Sequence, residues 1–84
     1  MATAPAQRRP AQLQVNTAGA WKTVVTFDAS DDMAVTMVQE AVEVLHQVDQ
    51  QPNWRITTAA SYPVPLRHLG RNTYGLWIDT KEPQ

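Results

Sequence analysis

The most regular signal along this chain is a helical rhythm. Ala34, Val38, Ala41, Leu45 and Val48 recur at spacings of three and four. Met37 and Val44 widen the apolar stripe on one side, and Val35 and Val42 widen it on the other. Thr36, Gln39, Glu40, Glu43, Gln47 and Gln50 fill the opposite face. Ser30 is suited to cap the amino end, and Asp31 and Asp32 place negative charge where the helix dipole favours it. Pro52 ends the run, because it lacks the N–H that a continuing helix needs. The pattern predicts a helix over about 31–49 with Val38, Ala41, Leu45 and Val48 buried. Its apolar arc covers half the circumference, wider than the ~100° needed against one sheet. A second packing surface and deep burial of a lone helix explain that width equally well.

Elsewhere the period is two. Leu13 and Val15 alternate with Gln12, Gln14 and Asn16, and a turn follows at Asn16-Thr17-Ala18-Gly19. In 20–27, Trp21, Thr23, Val25 and Phe27 alternate with Lys22, Val24 and Thr26, so these two segments predict a hairpin. Beyond the helix, Trp54, Ile56 and Thr58 share one face of a strand over 54–60. The segment 61–72 holds Pro63 and Pro65, which argues against both a regular helix and a central strand and predicts a stiff loop. A last strand is predicted over 73–80, with Tyr74, Leu76 and Ile78 facing the core and Gly75, Trp77 and Asp79 facing out.

The order is β(β)αββ, the first strand being the weaker of the opening pair. This predicts one small α+β domain, with one amphipathic helix packed on a three- to four-stranded antiparallel or mixed sheet. If the strands flanking the helix are neighbours, their crossover should be right-handed. Residues 1–11 are rich in Pro and Ala with little bulky apolar surface, and are expected to form a disordered tail. The domain then covers 12–80, and 81–84 fray.

Eighty-four residues allow one domain with a marginal core. No Cys is present, so disulfides and thiolate metal sites are excluded. A core this small makes self-association into a homodimer an expectation. The formal charge of −1 gives no general attraction to nucleic acid or anionic lipid. It conceals a layout in which residues 1–27 carry +3, residues 28–50 carry −6 and residues 51–84 carry +2. No apolar run approaches the ~18 residues of a membrane span, and the first dozen residues lack a signal-peptide core. A cytoplasmic location with no membrane partner is expected.

Chemistry is sparse. His46 and His68 lack the spacing of a helical zinc motif, and Asp28, Asp31 and Asp32 lack that of a calcium loop. Asp28 and Asp31 are better explained as helix-entry acids. Neither Ser30 nor Ser61 stands in a nucleophile elbow, and Glu40 and Glu43 belong to a solvated helix face. Gly19, Gly70 and Gly75 form no phosphate loop. An enzyme, a cofactor and a metal are therefore not expected. The segment 71–78 has a basic residue and an aromatic-glycine step like an RNA-recognition strand. Thr73 and Leu76 replace its second glycine and a stacking aromatic, so no family is assigned.

Two features remain. Trp77 in the outward register would be an exposed hot-spot residue, unless the preceding loop folds back over it. The loop itself presents Tyr62, Arg67, His68 and Arg71 on a proline-stiffened frame. These place a partner-binding surface on Tyr62, Arg67, His68, Arg71 and Trp77. The expected function is a non-catalytic protein-binding module that occludes a macromolecular partner. A small inhibitor or accessory regulator, of the sort phages and mobile elements encode, fits that description. The alternative is a nucleic-acid-binding domain using the basic loop 61–72 and the last strand. A third reading is an oligomer that binds a small ligand between subunits.

Overall fold

A computed structural model describes residues 9–60, 62–70 and 73–80. Asn16 closes the first hairpin: its Oδ1 accepts the Gly19 N–H at 2.9 Å, and Gly19 takes a φ of 91° that its missing Cβ permits. The strands so joined are β1 (Pro10–Asn16) and β2 (Trp21–Asp28). After them come α1 (Asp32–Val48), β3 (Asn53–Thr58), β4 (Pro65–Leu69) and β5 (Ile78–Asp79). The strands form one five-stranded sheet in the order β2-β1-β3-β4-β5, and every neighbouring pair is antiparallel. This is the expected α+β architecture, a helix packed on one face of an antiparallel sheet. The two strands flanking α1 are not neighbours, because β1 lies between them.

The chain is ordered earlier than its composition suggests. Pro10 and Ala11, expected in the tail, belong to β1, and Ala11 is fully buried opposite Phe27 and Thr58. Arg9 extends the register through its backbone, donating to Asp28 Oδ1 at 3.1 Å and accepting from Ala29 N at 2.8 Å. Paired backbone groups hold this segment where side-chain burial alone would not. The frayed end expected at 81–84 and most of the tail lie outside the described residues.

A β-bulge between Leu13 and Gln14 alters β2. Leu13 faces Val25 but Gln14 faces Thr23, so Val24 is the extra residue. The expected single face of Trp21, Thr23, Val25 and Phe27 is therefore split. Val25 and Phe27 share the face of Leu13 and Ala11, whereas Trp21 lies with Asn16 on the other.

The loop expected over 61–72 contains an interior strand, β4, which pairs with β3 and β5. Pro65 is its first residue and Pro63 precedes it, so only the strand's end lacks an N–H. A register shift between Ile56 and Thr57 absorbs the irregularity.

The core comprises Ala11, Leu13, Val42, Trp54, Ile56 and Leu69, with Val15, Phe27, Ala29, Val38 and Trp77 packed against it. The helix presents to it a face different from the expected one. Val42 and His46 are buried and Val38 is partly so, while Ala41, Leu45 and Val48 are exposed. The apolar arc is broad enough for the helix to rotate within it, and the sheet takes the row of short β-branched valines that allows close approach. The last strand is also shorter than expected. Tyr74 and Gly75 take φ of 57° and 77°, and Leu76 N–H donates to the Thr73 carbonyl at 3.1 Å. That turn removes 73–76 from the alternation and leaves only Ile78 and Asp79 paired.

Candidate functional site

The sheet face opposite α1 carries a row of side chains that crosses all five strands. Thr23 pairs with Gln14, Gln14 with Arg55, Arg55 with His68, and His68 with Ile78. Each belongs to the register opposite Leu13, Trp54, Ile56 and Leu69, so the core alternation itself turns these residues away from the helix.

Arg55 is the centre of the row. Its guanidinium carbon stands 4.1 Å from the Trp21 ring centroid, and its Nε donates to Gln14 Oε1 at 2.7 Å. Among the described residues no carboxylate pairs with it. Partial burial costs the cation hydration and lowers its pKa, yet an arginine remains charged throughout the protein's working range. The stack on Trp21 compensates in part, at about 0.5–2 kcal/mol for such contacts. Gln14 is itself buried, so the amide that orients Arg55 is held by its surroundings.

Beside this cluster lies a cleft of about 300 Å³, lined among others by Trp21, Asn53, Arg55, Pro65, His68 and Thr80. His68 Nδ1 is 3.1 Å from Thr80 Oγ1, which fixes the ring from the β5 side. Gly70 closes one end: a Cβ there would meet the Asn53 side-chain amide, which would have to turn aside. Thr73 ties that corner together, its Oγ1 accepting from Gly70 N at 3.2 Å.

The residues singled out from sequence do not gather at one place. His68 lines the cleft. Tyr62, 89% exposed, lies just before β4. Arg67 points to the helix side, where its Nε pairs with Asp79 Oδ1 at 2.9 Å. Trp77, expected to face outward, packs against the core and donates its indole N–H to the Gln39 carbonyl at 3.1 Å. Tyr74, Leu76 and Ile78, expected inside, are the exposed set. Arg71 lies outside the described residues.

Trp21, Gln14 and Arg55 were missed as a cluster. The alternation against Trp54 and Ile56 already put Arg55 on the outer face, whereas the bulge that brings Trp21 beside it leaves no mark in the sequence.

A second depression, about 490 Å³, lies between α1 and the 73–76 turn, with Glu43, His46 and Tyr74 in its wall. Among the described residues no group of three or more metal-ligating side chains forms. Among them, too, no helix is long and apolar enough to cross a membrane. No family model matches the chain, and neither a curated protein nor a solved structure shows significant similarity to it.

Proposed function

We propose that this chain is a non-catalytic protein-binding module that occludes its partner through the helix-free face of the sheet. The observation that carries this reading is the Trp21–Arg55–Gln14 cluster beside the 300 Å³ cleft. Trp and Arg are the residue types that dominate binding energy at protein interfaces, and here both are fixed on strands. The cleft is at the lower limit of small-ligand pockets, and its size suits one or two partner side chains. Arg55, charged and paired with no carboxylate among the described residues, favours a partner segment with an acidic group beside an apolar anchor.

Of the residues chosen from sequence, His68 fits this surface as it stands. Arg67 and Trp77 serve the opposite side of the sheet.

A single-stranded nucleic acid is the second reading, favoured by the aromatic–cation stack. One Trp21 ring face is already covered by the guanidinium, and the acids of α1 add repulsion, so protein is preferred.

Affinity capture with the intact chain, followed by titration of the retained protein, tests the proposal. Arg55→Ala and His68→Glu should each weaken that complex by about thirtyfold, ~2 kcal/mol, measured on folded protein. Arg55→Ala also gives up the Trp21 stack and the Gln14 hydrogen bond, so its melting temperature falls, whereas that of His68→Glu changes little. Unchanged affinity in both variants would remove this face from consideration. Binding of a labelled single-stranded oligonucleotide with a steep salt dependence would replace the protein reading with the second one.

A further inference from the structure

On the side of α1 turned away from the sheet, Met33, Met37, Ala41, Val44, Leu45 and Val48 form an uninterrupted apolar stripe along the 17-residue helix. All six are exposed, Met33 to 72% and Val48 to 83%. At 100° per residue they occupy one continuous arc of about 120°. Gln39 and His46, on the other flank of the buried row, face Trp77 and Gly75 towards β5. The stripe therefore inclines towards β2, the edge strand, where Val24 and Val25 are also exposed.

We infer that this stripe is the interface of a two-fold homodimer in which α1 packs antiparallel on α1 of a second copy. Three observations commit the surface to a second copy. First, the stripe has as many apolar residues as the core, which buries only Ala11, Leu13, Val42, Trp54, Ile56 and Leu69 among the described residues. A small domain so short of interior is stabilised by oligomerisation, and the partner always available to it is itself.

Second, the stripe and the two valines of β2 present on the order of 700 Å² per copy, close to the ~800 Å² per partner of a stable interface. Third, the charge layout permits self-contact. The helix acids Asp32, Glu40 and Glu43 lie outside the arc, so the stripe itself carries no charge, and only Glu40, at its margin, borders the contact. Antiparallel packing also sets each helix amino end beside its mate's carboxyl end, the favourable arrangement of the two dipoles.

Because the chain has no Cys, single cysteines report the geometry directly. Sedimentation equilibrium of the intact chain at about 50 µM should give a dimer, with a melting temperature that rises with concentration. Ala41→Cys, at the middle of the stripe, should cross-link to dimer under mild oxidation, while Thr23→Cys on the helix-free face should not. Met37→Lys combined with Val44→Lys should weaken self-association about tenfold or more.

Should that double variant fail to fold, the cysteine pair still decides the matter. A monomer at every concentration overturns the inference. So does a dimer cross-linked through Thr23→Cys and not through Ala41→Cys. Since the helix-free face lies on the opposite side of the molecule, the Arg55 and His68 variants should leave the dimer intact.

Discussion

Trp77 donates its indole N–H to a carbonyl in the middle of α1, and its ring packs on the core. Losing both should be costly: Trp77→Ala is expected to lower stability by about 3 kcal/mol, and Trp77→Phe by ~1 kcal/mol, the worth of one hydrogen bond. Chemical denaturation of the two variants checks this, and partner affinity at the cleft should stay unchanged where the variants remain folded. At this scale the sequence was informative about residue type and misleading about side. A tryptophan beside a glycine and an aspartate reads as outward only if 73–80 is one strand. The 73–76 turn, with a tyrosine in left-handed backbone, shifts the register before Trp77, and tyrosine gives no signal for that conformation. Gly75 was the one legible hint.

The helix was located within one residue of its expected ends, because its stops are chemical. Its cap, however, is Asp31 and not Ser30: Asp31 Oδ1 accepts from Met33 N at 3.1 Å and Ala34 N at 3.3 Å. Ser30 instead donates its hydroxyl to Asp28 Oδ1 at 2.6 Å. Asp31→Ala should therefore cost about 1 kcal/mol in a thermal melt, and more than Ser30→Ala. Which side of Val38 the helix buries was not legible, since Val35 and Val42 flank it on one side as Ala41, Leu45 and Val48 do on the other. Periodicity measures that an arc is apolar and leaves open which part of it meets the sheet. The β4 strand was hidden for a related reason. A proline pair reads as a loop, but a proline at a strand's first residue removes nothing the ladder uses.

At the scale of the whole molecule, the acids Asp32, Glu40 and Glu43 ride on the helix, while the Arg55 cation stands on the far side of the sheet. The segment totals read from sequence foreshadowed this polarity, although not which strand faces would display it. If the partner segment is acidic, its association rate should fall as salt rises from about 50 to 200 mM, with dissociation little affected. Stopped-flow binding measures both rates, and a rate indifferent to salt would mean that the guanidinium does not steer the encounter.

The bulge at Val24 has a consequence for how this chain is read by eye or by mutation. Strand alternation works like a two-letter reading frame, and Val24 is a one-residue frameshift within it. Downstream of the shift, Val25 and Phe27 lie on the helix side, where Phe27 packs against the core; upstream, Trp21 supplies the cleft. A single edge strand thereby serves two layers of the protein without changing its odd-numbered pattern. Excising Val24 would join two halves that are each already in frame, and every side chain would keep its face. Excising Thr23 or Thr26 instead would also remove the extra residue, but would turn a valine outward in the threonine's place, Val24 opposite Gln14 or Val25 opposite Gln12. Tolerance to deletion in β2 is therefore concentrated at one position, and that position carries the strand's most exposed valine.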